Sequence, residues 1–245
     1  MLMDELDHGK RTFLKAMGVI AAGAAVSGIV VGLIKNVITQ PTGLSSFPTL
    51  TIVNSDGSPL HTSDIPINEE HPFLFYYPLD NDPNFLLRLS NMSTGEVKLP
   101  PSRTVIPATG IYFNSPGGVG PNNNVVAYSA ICQHLGCVPP IIHYYTPGSA
   151  IPGHPNVTGS LYPWGVIHCN CHGSTYDPSA GAMRITGPTA RPLPNLVLEY
   201  DDLTDTYKVK SMVGPVIYGK PTDLEGGTPF PTGTTTTPVS ELSSI

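Results

Sequence analysis

The sequence predicts an all-β body behind a single apolar helix at the N-terminus. Three observations predict it. Beyond about residue 50 the apolar residues come in short runs, "LTIV", "PFLFYYPL", "FLLRLS", "VVAYSAI", "GVIHC", "LVLEY" and "YKVKSMV". Their length and β-branched content suit strands, and turn-forming residues separate them. The chain also holds 27 prolines and 25 glycines among 245 residues, and no stretch of the body keeps helical spacing over a convincing length.

The first segment reads as a membrane address. Residues 16–34 are 19 consecutive uncharged residues, mostly Ala, Val, Ile and Gly; roughly 20 such residues span a bilayer core as a helix. They are apolar on every face, unlike a helix packed on one side of a soluble core. A transmembrane anchor is therefore expected over 16–35. Lys10, Arg11 and Lys15 precede it and Lys35 alone follows closely, so residues 1–15 should stay in the cytoplasm and the body should lie outside. "KRTFLK" (10–15) resembles a twin-arginine export signal with lysine for the first arginine, and such signals suit chains exported already folded.

Residues 36–49 carry two prolines and no helical pattern, which reads as a tether. The body is expected over 50–220. Residues 221–245, ending "EGGTPFPTGTTTTPVSELSSI", are a low-complexity tail. Trp164 and "FLFYY" (73–77) read as core, and His61, His71, His143, His154 and His168 have no partner spacing and read as ordinary loop or core residues.

Charge excludes one class of partner. Charged residues are 12% of the chain and the net charge is −6. There is no basic stripe suited to a phosphate backbone, so nucleic acid is not an expected partner.

The chemistry sits in two boxes, "ICQHLGC" (131–137) and "HCNCHGSTYD" (168–177), which hold all four cysteines. Two disulfides are the default for exported chains, but leave the adjacent histidines idle. Zinc boxes place two cysteines two to four residues apart in one box, whereas here Cys132-x-His134 and Cys169-x-x-His172 each offer one thiolate and one imidazole. Four thiolates on an iron–sulfur cluster again leave the histidines unused. The split suits a cluster of two unlike irons, and Cys137 and Cys171, equivalent behind each box, can be joined to each other.

"CQHLGC" and "CNCHGSTYD" closely resemble the boxes C-x-H-x-G-C and C-x-C-H-G-S of the Rieske [2Fe–2S] proteins of quinol-oxidising respiratory complexes, with every constrained position filled. "GPTARPLP" (187–194) resembles that family's proline loop. The resemblance implies a Rieske-type antiparallel β-sandwich with a cluster-binding part over about 125–195. It implies that Cys132 and Cys169 bind one iron of a single [2Fe–2S] cluster and His134 and His172 the other. It implies a Cys137–Cys171 disulfide, hydrogen bonds toward sulfur from Ser174 and Tyr176, a proline-loop position at Pro188, and a shield for the cluster at Leu135. Residues 138–168 form a longer connection than many members have and resemble the enlarged loops of archaeal members.

Imidazoles in place of two thiolates leave the cluster less negative, so Rieske centres lie at about −150 to +300 mV, against about −400 mV for plant-type ferredoxins. The implied function is a subunit in the cell membrane that takes one electron, with proton release, from quinol. His134 and His172 would carry out the exchange, and the electron would pass to a haem or copper acceptor beside a cytochrome b-type subunit. The small Rieske subunit of an exported molybdenum oxidoreductase such as arsenite oxidase is the alternative. An aromatic-ring oxygenase would need a mononuclear-iron domain that the sequence does not supply, and a disulfide-stapled surface protein would hold no iron.

Overall fold

The computed structural model describes residues 47–151, 162–217 and 227–242. The expected signal, the anchor and all of the tether except residues 47–49 lie outside this range. Among the described residues no helix is long and apolar enough to cross a membrane. Apart from two short 3-10 turns, the regular elements among the described residues are strands: β1 Leu50–Val53, β2 Phe73–Tyr76, β3 Pro83–Arg88, β4 Ser102–Ile106, β5 Ile111–Ser115, β6 Val125–Ser129 and β7 Ile142–Tyr145, followed by β8 Val166–Cys169, β9 Ser174–Asp177, β10 Met183–Thr186, β11 Asn195–Asp201, β12 Thr206–Val213, β13 Thr236–Pro238 and β14 Ser240–Glu241.

They form three sheets. The largest has the order β13-β1-β12-β11-β6-β3-β2-β14, a smaller one β10-β9-β8-β7, and β4 and β5 pair as a hairpin. Every pairing is antiparallel except β1 with β13. The all-β expectation is met.

β3 and β6 position everything else because both of their faces are covered. Side chains alternate across a strand, so Leu86, Val125 and Ala127 enter the core that the large sheet shares with Ile52, Phe75, Tyr77 and Val209. Phe85, Leu87, Val126 and Tyr128 point the other way, into a second core with Ile142, Tyr144, Ile167 and Tyr176 of the small sheet. Trp164 is half-buried against that second core. The small sheet is thus fastened to the large one by apolar packing, and this second core also takes in Cys132 and Cys169.

Two expectations change in detail. Within the long 138–168 connection Ile142 to Tyr145 form a strand, paired with Cys169 to Val166 of the expected run "GVIHC", and residues 152–161 lie outside the described range. Part of the low-complexity tail is strand. β13 pairs with β1 and β14 with β2, and these two short strands lie at opposite ends of the large sheet with Val239 alone between them. Val239 donates its N–H to the Val53 carbonyl (2.8 Å), and the Thr237 hydroxyl donates to the Tyr76 carbonyl (3.0 Å). Threonine-rich composition lacks a hydrophobic signature, yet edge strands need main-chain partners more than apolar side chains.

Candidate metal centre

Two turns of similar design carry the boxes. The first follows β6: the Cys132 N–H donates to the Cys137 carbonyl (2.9 Å) and the Gly136 N–H to the Cys132 carbonyl (2.9 Å). The second joins β8 to β9: the Gly173 N–H donates to the Cys169 carbonyl (2.9 Å). In each, a glycine four positions after a cysteine closes the turn with positive φ, 76° at Gly136 and 81° at Gly173, a backbone region that side chains disfavour. That requirement is the physical content of the glycine in both boxes.

The turns bring the candidate ligands together. Cys132 and Cys169 are each 1% exposed, and their sulfurs are in hydrogen-bonding contact. The rings of His134 and His172 meet edge to face, centroids 4.9 Å apart and planes at 84°. His134 is half-buried and His172 exposed. The Nδ1 atom of His134 is buried with no hydrogen-bond partner, an unfavourable state for a nitrogen with nothing to bind.

Hydroxyls converge on the thiols. The Tyr176 hydroxyl lies 3.4 Å from Cys132 Sγ and accepts the Gln133 N–H at 3.0 Å, leaving its O–H to donate to sulfur. Ser174, fully buried, also hydrogen-bonds Cys132. The bond with Cys169, then these hydroxyls and the His134 N–H, hold the Cys132 thiol down to about 6. Cys169 is pushed up by its hydrogen bond with Cys132 and by burial. Burial, then the charge of Cys132, pushes the Tyr176 phenol up, so it remains a donor.

A third loop covers this arrangement. Gly187 (φ 88°) packs on the main chain of Gly173 and Ser174, and the Thr189 N–H donates to Ser174 Oγ (3.3 Å). Pro188 is exposed between them, as is Leu135 (56%) at the end of the first turn. The structure therefore gathers the sequence-predicted residues Cys132, His134, Cys169, His172, Ser174 and Tyr176.

The expected disulfide partners stand side by side as thiols. All four cysteines are free, although the sulfurs of Cys137 and Cys171 and a His172 ring nitrogen lie within 4.8 Å of one another. The two thiols are neighbours at the edge of the site, Cys137 half-buried and Cys171 exposed. Burial and the adjacent Cys171 push the Cys137 thiol up, which favours the neutral form over a metal-binding thiolate.

Two buried thiols receiving hydroxyl donors, beside two facing imidazoles of which one has an orphaned nitrogen, fit a binuclear iron–sulfur group with mixed ligands. Residues 89–199 match the family described as the Rieske [2Fe-2S] domain. These residues are a Rieske domain. Its cofactor is a [2Fe–2S] cluster. The Rieske iron–sulfur subunit of a cytochrome bc1 complex from Streptomyces lividans is 36% identical over 83 residues, 33% of this chain and 37% of that relative; the match therefore spans well under half of the relative's length. The soluble domain of Rieske protein II (soxF) from Sulfolobus acidocaldarius superposes with a TM-score of 0.53 at 25% identity, covering 81% of this chain and 96% of that one.

Sequence reasoning missed Gly187, Thr189 and the Gln133 N–H as parts of the Rieske site. Gly187 and Thr189 lay inside the quoted "GPTARPLP", but Gly187 and Gln133 act through main-chain atoms, as does the Thr189 contact with Ser174. Residue type alone does not report such contacts.

Proposed function

We propose that this chain is the membrane-anchored Rieske subunit of a quinol-oxidising respiratory complex, taking one electron from quinol with release of a proton and passing it to a haem or copper acceptor. In this reading Cys132 and Cys169 hold one iron, His134 and His172 the other, and Cys137 and Cys171 close a disulfide across the two turns. Residues 16–35 anchor the chain with the N-terminus cytoplasmic, and residues 36–49 tether the Rieske domain on the outer face beside a cytochrome b-type subunit.

The observation that carries the proposal is the exposure pattern at the tip. His172 is open to solvent beside the half-buried His134, and the neighbouring turn exposes Leu135 (56%), Val138 (40%) and Ile141 (46%). An apolar rim around a reachable imidazole suits a lipid-soluble molecule bearing a hydroxyl, and a quinol is one. The cluster, when bound, supplies the one-electron capacity. His172 orients the hydroxyl and accepts its proton, Leu135 excludes water, and Ser174 and Tyr176 stabilise charge on sulfur. The similarity to a cytochrome bc1 Rieske subunit supports the same reading.

The test is an electron paramagnetic resonance spectrum of reduced membranes, with and without a quinone-site inhibitor, on material that co-purifies with its partners. A Rieske signal that the inhibitor shifts, with a multi-helix cytochrome b in stoichiometric amount, is expected. A Rieske signal indifferent to the inhibitor, in a complex holding molybdenum and no cytochrome b, would assign the chain to the other oxidoreductase class.

A further inference from the structure

Away from the cluster-binding turns the fold assembles a second histidine group. His71 lies just before β2 of the large sheet and His143 on β7 of the small one. Their rings meet with centroids 5.9 Å apart and planes at 66°. The Nδ1 atoms of both are buried with no hydrogen-bond partner. Among the described residues the other histidine Nδ1 in that condition is that of His134, at the metal centre. His143 is only 9% exposed. The titratable groups acting on it are His71 and Glu70, and the Glu69 carboxylate accepts the His71 main-chain N–H (3.3 Å).

Orphaned imidazole nitrogens inside a protein are unfavourable, and a cation that accepts nitrogen ligands removes the penalty at both rings together. Bonds of about 2.0–2.1 Å from one ion to two imidazoles place the ring centroids about 5–6 Å apart. The carboxylate of Glu70 supplies compensating negative charge. No sulfur belongs to the group, so a soft monovalent ion is not selected, and imidazole is a poor ligand for calcium or magnesium. We propose that His71 and His143 hold one divalent transition-metal ion of the zinc or copper class, clamping the segment before β2 onto β7 and so tying the small sheet to the large one. The site is independent of the Rieske ligands and does not rest on the function proposed above.

The experiment uses the full-length, cluster-loaded protein in its oxidised state, titrated with Cu2+ after chelator treatment and read by electron paramagnetic resonance. Expected is one copper per chain with hyperfine structure from two nitrogens, weakened at least about tenfold and reduced to one nitrogen in His71→Gln. A thermal shift with Zn2+ is expected in the wild type and not in that variant. His71 is half-buried and suits the first substitution; His143→Gln is the second, and the reduced-state Rieske spectrum of each verifies folding. Absence of stoichiometric copper, or equal binding by wild type and His71→Gln, overturns the proposal. So does binding abolished by Cys171→Ser alone, which would put the ion at the Cys137–Cys171–His172 edge.

Discussion

Gly187 lies so close to Gly173 that a Cβ on it would come within 2.3 Å of the Gly173 carbonyl oxygen. Two main chains thus touch directly, one from the third loop and one from the second cluster-binding turn. Gly187→Ala should lift the loop and break the Thr189 N–H bond to Ser174. The expected outcome is several-fold less iron and acid-labile sulfide per chain, with the β-sheet circular dichroism retained because the large sheet does not depend on this contact.

Removing the hydroxyls should make the cluster harder to reduce. Tyr176→Phe and Ser174→Ala each delete one donor to Cys132. A hydrogen bond of about 1 kcal/mol, converted for one electron, corresponds to a midpoint potential lower by about 40 mV per donor. A redox titration followed by electron paramagnetic resonance measures it, and an unmoved potential in both variants would remove the hydroxyls from the account.

Asp177 provides a pH dependence. It is half-buried, and burial raises its carboxyl above the ordinary value, against hydrogen bonds from the Ser179 N–H and hydroxyl that lower it. The folded state therefore binds the proton more tightly than the unfolded chain, and stability falls as pH rises from the unfolded value near 4 through the raised folded one. Asp177→Asn keeps an oxygen acceptor for Ser179 and removes the charge. It should melt at a higher temperature than wild type at neutral pH, with the gain fading in acid; a constant difference across pH would contradict this.

The cluster-binding boxes were legible in the sequence because coordination demands fixed residue types at fixed spacing. The strand runs of β1, β6, β11 and β12 were legible because their partners bury them. The hairpin of β4 and β5 was not: "SRTVI" and "IYFNS" bury only alternate residues such as Thr104, Ile106, Phe113 and Ser115, half of them polar. β9 was read only for its hydroxyls, because "STYD" has no apolar run. The meeting of His71 and His143 was invisible, since one precedes a strand of the large sheet, the other lies on the small sheet, and neither has a spacing motif.

The β11–β12 turn offers a stability test remote from the cluster. Asp205 holds positive φ (50°), accepts the Thr62 N–H (3.0 Å) and the Tyr200 hydroxyl (3.0 Å), and also bonds the Thr62 hydroxyl. Asp205→Ala loses these bonds and places a poorly suited residue at that φ, so a loss of about 2 kcal/mol or more is expected in denaturant unfolding. Asp205→Asn, which tolerates the conformation, should lose less.

The strap of residues 236–242 has one more consequence. By pairing with both β1 and β2 it occupies the two rims that a sheet of this size would otherwise offer to a second molecule. Because it follows every other described strand in the chain, those rims stay open during synthesis until the strap emerges. Deleting it should make the body self-associate through Thr51–Val53 and Phe73–Leu74, visible by light scattering as growth that a chain with the strap intact does not display.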